Sequence, residues 1–210
     1  MVKVLIVGRT RMGTSANRCI GGLTDAGQSV RLLDQHGDHW DTSAPFQVGQ
    51  WWDVTFQPVD PANLELPHVE DVLVTAASFI GDDRDPRRTI MSLVTPWQGS
   101  DKALFGGNVK YTNAHNGYIA EGTQPDRSTW FWITDRELRF RDDGKHYDYP
   151  SKSLFGVEIP HGLSYVGEPD PPPVIPAGTL VRVSLARWWK PPNADESCPL
   201  RCFVQLSGWF

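Results

Sequence analysis

The chain has 210 residues, 40% hydrophobic and 21% charged, with a formal net charge of −5. That length suits one large domain or two small ones, and no apolar run approaches the length of a helical membrane span. The acidic balance argues against a non-specific coat for duplex DNA, which needs a broadly basic surface, while leaving room for a local basic groove.

The charge is unevenly spread. Residues 1–31 carry Lys3, Arg9, Arg11, Arg18 and Arg31 against Asp25 alone. The acidic excess lies in Asp82-Asp83, Asp85, Asp142-Asp143, Glu168 and Asp170. Residues 1–7 lack the apolar length and small-residue cleavage site of a signal peptide. Cys19, Cys198 and Cys202 cannot all pair within the chain, which fits a reducing compartment, so a cytoplasmic location is expected. Cys198 and Cys202 have loose metal-ligand spacing but no matching second half-site. Neither a metal nor another cofactor is expected.

In chain order, the first third reads as β. Residues 3–7 form a strand. Residues 18–23 and 28–33 flank Thr24-Asp25-Ala26-Gly27, a hairpin turn signal. Residues 38–45 are a polar loop, 48–56 a strand, 58–67 a Pro-punctuated loop, and 68–74 a short strand with a polar start. Five strands in about eighty residues match the count of a small Greek-key barrel. Asp85-Pro86 caps a helix over residues 87–94, with Ile90, Met91 and Val94 on one face, and Pro96 stops it. Residues 100–105 add a helical turn closed by Gly106-Gly107, and the domain junction is expected here.

β structure then resumes. Residues 128–133 and 138–141 are strands, Asp142-Asp143-Gly144-Lys145 is a turn, and 146–149 is the returning strand. Residues 167–176, with Asp170-Pro171-Pro172-Pro173, read as a stiff extended linker. Over 180–190, Val181, Val183 and Leu185 alternate with Arg182, Ser184 and Ala186, and the strand runs out into Arg187-Trp188-Trp189-Lys190. A last strand covers 201–210. Its Trp209-Phe210 end is expected to be tied into a sheet, because free termini fray.

Two segments stand out chemically. Arg9-Thr10-Arg11-Met12-Gly13, followed by Arg18, reads as a Gly- and Arg-rich loop delivered by a strand. Such a loop approaches phosphate closely because Gly adds no side chain and Arg binds it bidentately; the alternative is a solvated loop at a barrel mouth. Arg187, Trp188, Trp189 and Lys190 pair cations with indoles, the combination that binds single-stranded nucleic acid, although the indoles could equally fill a core. Trp51-Trp52 sets one indole on each face of a strand, one for the core and one free to stack, with Trp52 taken as the candidate. His68, Glu70 and Asp71 are expected to serve structure, through a salt bridge to Arg9 or Arg11. There is no Gly-x-Ser-x-Gly elbow, no His-Glu-x-x-His and no zinc-deaminase signature, so no catalytic residue is assigned and the protein is not expected to be an enzyme.

Residues 9–13, 19–22, 30–33, 67–72, 176–189 and 205–209 together resemble the bacterial dual OB-domain proteins. The resemblance covers nearly the whole chain and is weakest over residues 82–122. It implies two oligonucleotide/oligosaccharide-type barrels and a place in bacterial antiviral or conflict gene neighbourhoods. The expected fold is therefore mainly β: two tandem OB-like small β-barrels, at 1–82 and 123–210, joined by a short helical segment at 83–122. The expected function is non-enzymatic binding of single-stranded or structured nucleic acid, DNA or RNA. Arg9, Thr10, Arg11, Arg18 and Arg31 would meet phosphates, with Trp52 and the 187–190 strip stacking bases. The rivals are a protein-binding adaptor or sensor subunit with a partner encoded nearby, and a binder of a nucleotide-like small molecule between the barrels.

Overall fold

The computed structural model describes all residues except Thr14, Gln124, 153–155 and Glu196, together with the side chain of Lys152. Its first unit is a closed barrel of β1 (Val2–Arg11), β2 (Arg18–Thr24), β3 (Ser29–Leu33), β4 (Gln50–Pro58) and β5 (Asp71–Asp82), in the order β1-β2-β3-β5-β4. β1 runs antiparallel to both β2 and β4, and β3 runs parallel to β5. Val4, Ile6, Ile20, Val30, Leu32, Trp52, Val54, Val72 and Val74 fill the barrel, with Ala44 and Phe46 from the β3–β4 loop closing it. Two expectations change here. The ladder with β2 carries β1 on through Arg11, so Arg9, Thr10 and Arg11 are strand residues rather than loop residues. Residues 68–70 precede β5, which starts at Asp71 and continues to Asp82 as the partner of β4.

A connector follows. α1 (Pro86–Leu93) starts where the sequence places it: the Asp85 side chain accepts from Arg88 N at 3.0 Å, and Pro86 occupies the first turn. The face it buries differs. Ile90 is inside, with Leu93 and Val94 beside it, while Met91 is exposed. The connector also carries β6 (Trp97–Gly99), β7 (Lys110–Tyr111) and β8 (Gly117–Ala120), which the sequence reading did not foresee.

The second unit contains β9 (Thr129–Thr134), β10 (Leu138–Phe140), β11 (His146–Lys152), β12 (Glu158–Tyr165), β13 (Val174–Ile175), β14 (Leu180–Leu185) and β15 (Arg201–Trp209). β14 pairs with β9 and β15, β15 runs parallel to β12, β12 pairs with β11, and β11 pairs with β10. β9 and β10 are two halves of one strand, broken where Thr134 Oγ1 donates to Arg136 O at 2.6 Å. Counted as one strand, they close the same five-strand circuit as the first barrel. Trp132, Tyr147, Tyr149, Leu163, Val181, Val183, Leu185 and Leu206 form its core. Residues 167–176 are not a free linker: Gly167 bridges to Thr10, and β13 pairs with β10. At the C-terminal end Trp209 pairs with Val181, and Phe210 N donates to Leu180 O at 2.8 Å.

The barrels share a third apolar cluster. Leu5, Val7 and Leu23 of the first meet Phe131 and Leu180 of the second, with Ile90 of α1 between them. β1 and β14 are therefore covered on both faces, which explains why Val4-Leu5-Ile6-Val7 and Leu180-Val181-Arg182-Val183-Ser184-Leu185 are buried throughout. Among the described residues, no helix is long and apolar enough to cross a membrane.

The connector is held to β12 by a buried carboxylate. His161 Nδ1 meets Asp101 Oδ2 at 2.5 Å, Tyr111 donates its hydroxyl to the same oxygen, and the two rings stack 3.6 Å apart. Burial alone would raise the Asp101 carboxyl, but the hydrogen bonds to His161 and Tyr111 outweigh it and hold the group below its ordinary range. A carboxyl lowered by folding adds stability that is complete above its unfolded value, about pH 4, and is lost as pH falls through the folded value. Asp101→Asn is expected to cost about 1–3 kcal/mol at pH 7. In urea denaturation its gap from the parent should narrow as pH drops below about 4, and a gap that stays constant into acid would contradict this.

Candidate functional site

Arg182 is the residue around which the site is built. It sits on β14 between Val181 and Val183, which point into the second core. Strand alternation turns Arg182 the other way, onto the first barrel. There it reaches Gly8 of β1 and Gly21 of β2, which face each other across the ladder. A Cβ at Gly8 would lie 2.9 Å from Arg182 Nη1, and one at Gly21 would collide with Nη2, so a side chain at either position would push the guanidinium from this seat. Arg182 is 5% exposed. Its Nη1 donates to Ser207 Oγ at 2.9 Å, and Ser207 Oγ donates back to the Arg182 carbonyl at 3.1 Å. Among the described residues no carboxylate pairs with it. Burial pulls its pKa below the ordinary arginine value, and the nearby Arg31 charge adds to this against the opposing influence of Cys19 and Glu70.

Polar clasps surround this contact. Glu70 accepts from Ser128 N at 2.6 Å, from Ser128 Oγ at 2.5 Å and from Thr129 N at 3.2 Å, tying the β4–β5 loop to the start of β9. His68 Nδ1 lies 3.2 Å from Ser128 Oγ. Because that hydroxyl donates to Glu70, His68 Nδ1 carries the proton and Nε2 is left as an acceptor. Burial, with Arg31 and Arg187 close by, pulls the His68 pKa down to about 3, so the ring is neutral at physiological pH. Arg31 and Asp71 are register partners on the parallel β3–β5 pair. Both are buried and form a two-pronged ion pair, with Nη2 donating to Oδ2 at 2.6 Å. Arg187 reaches from the second barrel to Glu65 Oε2 at 2.8 Å and His39 Nε2 at 3.1 Å.

Between the barrels lies a cavity of about 780 Å³. The first barrel contributes Thr10, Arg11, Met12, Gly13, Ser15, Cys19, Arg31 and His68. The second contributes Arg182, Ser184, Leu185, Arg187, Trp188, Trp189 and Phe203, among others. Four arginines line it, and among the described residues no aspartate or glutamate does. A second cavity, about 480 Å³ and of mixed charge, shares Arg31 and Arg187 with it. Among the described residues no group of His, Cys, Asp and Glu is placed to hold a metal ion.

The family model of the dual OB-containing domain matches residues 2–209. The chain belongs to this family. Neither the curated proteins nor the solved structures gave a match. OB folds as a class bind oligonucleotides and oligosaccharides on the face of their second and third strands and on the loops after strands one and four. In the first OB barrel those parts are β2, β3 and the loops 12–17 and 59–70, and they supply Cys19, Arg31, Met12, Gly13, Ser15 and His68 to the cavity. The opposite wall includes Arg187, Trp188 and Trp189, from the β14–β15 loop of the second OB barrel.

Of the residues singled out by sequence, the cavity gathers Thr10, Arg11, Arg31, Arg187, Trp188 and Trp189. Trp188 is half-buried against the second core, and Trp189 is 47% exposed and packs on Phe203. The other four lie elsewhere. Arg9 is spent inside the protein: its guanidinium donates to the carbonyls of Ala44, Phe46 and Thr42 at 2.8 Å each and pairs with Glu168. Arg18 pairs with the same Glu168 at 2.9 Å. Trp52 is a core residue rather than a stacking platform, since Phe46 packs edge-on against it at 4.8 Å. Lys190 is half-buried and off the cavity wall. The acidic partners also differ from expectation: Asp71 pairs with Arg31, while Arg9 pairs with Glu168.

Sequence reasoning missed Arg182, Ser184, Cys19 and His68 as wall residues. The glycines at positions 8, 21 and 22 carried a signal, since glycines inside strands mark close approach of another group. Asp71→Asn should expose how much the wall depends on its ion pair. Removing one partner of a buried pair costs about 3–5 kcal/mol. Urea denaturation of this variant should show a loss in that range, and a loss under about 1 kcal/mol, the worth of a surface pair, would contradict the buried-pair assignment.

Proposed function

We propose that this dual OB protein is a non-enzymatic binder of single-stranded nucleic acid, and that both barrels grip one strand in the cleft between them. The observation that carries this reading is the cavity itself. It opens on the face by which OB barrels bind oligonucleotides, and it is lined by four arginines without a carboxylate. Arg11 and Arg187 at the rim would meet phosphates, and Trp188 and Trp189 would offer faces to bases. The net charge of −5 is compatible with this, because the basic groups are concentrated in one cleft. A role in a bacterial antiviral system is the setting that the likeness to bacterial dual OB proteins favours.

A second reading has an observation of its own. A cavity of about 780 Å³ falls within the size range of single-ligand pockets, so a free nucleotide is the alternative occupant. The distinguishing experiment is a fluorescence-polarisation titration with internally labelled DNA and RNA strands of about ten nucleotides, within the span of an OB site. The expected result is micromolar or tighter binding that weakens steeply with salt. Trp188→Ala should weaken it about 5- to 150-fold, the worth of one stacked base, and Arg11→Ala should weaken it and flatten the salt dependence. Absence of binding at low salt, or unchanged affinity in both folded variants, would overturn the reading.

A further inference from the structure

The Arg182 charge is unexplained by anything it does for the fold. A buried guanidinium is ordinarily neutralised by a carboxylate, as Arg31 is by Asp71. Arg182 has five N–H donors, and among the described residues one of them is used, by Ser207. Its neighbour is another cation. Gly21, against which the Arg182 guanidinium lies, is the cross-strand partner of Arg31 on β2–β3. Cross-strand partners share a face, so Arg182 and Arg31 line the same cavity, with the Arg31 guanidinium held from its far side by Asp71. Ser184, two residues along β14 from Arg182, faces the same way, and its register partner Thr129 also reaches the cavity. The neutral His68, with Nε2 free to accept, completes the surroundings.

We propose that this inner end of the cavity is a seat for a phosphate monoester, held by Arg182 and Arg31. The Nε and Nη2 donors of Arg182, with the Nη1 that Asp71 leaves open on Arg31, suit a tetrahedral oxyanion with several free oxygens. A monoester carries about −1.5 to −2 charges near neutral pH and offers three free oxygens, whereas an internal diester carries one charge and offers two. The geometry also favours an end group. Behind Arg182 the barrels are sealed by the Leu5, Leu23, Phe131 and Leu180 cluster, so a strand entering from the rim cannot pass through. Its terminus would stop at the arginines. His68 Nε2 can accept a hydrogen bond from the hydroxyl that the monoanionic form still carries. The proposal rests on the strand-binding reading for its occupant, and a free nucleotide presents the same group.

The test compares strands of identical sequence that end in a 5′-phosphate, a 3′-phosphate or hydroxyls alone, with a nucleoside monophosphate and its nucleoside as competitors. The expected result is that one phosphorylated end binds about ten-fold tighter or better than the hydroxyl-ended strand. In Arg182→Met that ratio should fall to about one, while the melting temperature equals or exceeds the parent's, because an unpaired buried charge has been replaced by a thioether of similar length. Should Arg182→Met not fold, Ser184→Asp sets a carboxylate beside Arg182; it should raise the melting temperature and abolish the preference. A ten-fold preference for nucleoside monophosphate over nucleoside, with no effect of strand ends, supports the seat and assigns it to a free nucleotide. Hydroxyl-ended and phosphorylated strands binding equally, with neither competitor favoured, overturns the seat and leaves the strand-binding reading intact. A phosphate preference that persists in Arg182→Met, or a Met variant that is destabilised with its preference unchanged, also overturns it.

Discussion

The seat of Arg182 between Gly8 and Gly21 is the constraint on which the inner wall of the cavity between the barrels depends. It needs three things at once: an arginine on the outward face of a strand whose other face is core, two facing glycines on the neighbouring barrel, and a hydroxyl at Ser207 to orient the guanidinium. Around it the interface is mixed. Leu5, Leu23, Phe131 and Leu180 bury apolar area, which supplies most of the driving force, while Glu70 and Arg187 fix the register by hydrogen bonds and an ion pair. Apolar contact alone is non-directional; the polar clasps add direction to it.

That geometry has a functional consequence. An isolated OB barrel presents its second and third strands and two loops as an open surface. Here the β14–β15 loop of the second barrel faces that surface of the first and converts a face into a cavity. Guanidiniums inside a cavity act in a lower effective dielectric than on a face, so each is worth more to an anion. The buried ion pair of Arg31 with Asp71 holds that arginine in place before any ligand arrives, which lowers the cost of ordering it on binding. Arg9 and Arg18, by contrast, serve the protein itself, anchoring the 42–46 loop and Glu168 to the end of β1.

Much of this was legible in the sequence, and the failures have physical causes. The first barrel's strands and the Asp85-Pro86 helix start follow from local periodicity and capping chemistry, which need no tertiary information. Arg187-Trp188-Trp189 stood out because cations beside indoles are conspicuous wherever they fall. Arg182 did not, although it lies on the same segment. Period-two alternation says that it faces away from the core, and a polar residue facing away from a core reads as solvent-exposed; what covers that face is set by residues in the first barrel, far off in the chain. The Trp51-Trp52 pair shows the same limit. Alternation puts the two indoles on opposite faces, but which face the barrel closes over depends on Phe46 in an irregular loop. Arg9 was misread because its acceptors are backbone carbonyls of residues 42, 44 and 46, which have no sequence signature.

The central claim is that one strand is held between the barrels, and photo-crosslinking tests it most directly. A single strand carrying a thio-substituted pyrimidine would be irradiated with the intact protein and the modified peptides mapped by mass spectrometry. The account predicts adducts on both sides of the cleft, in the 10–19 segment of the first barrel and at residues 187–189 of the second. Adducts confined to one barrel, or collected on the exposed outer part of β5 around Phe79 and Ile80, would contradict it.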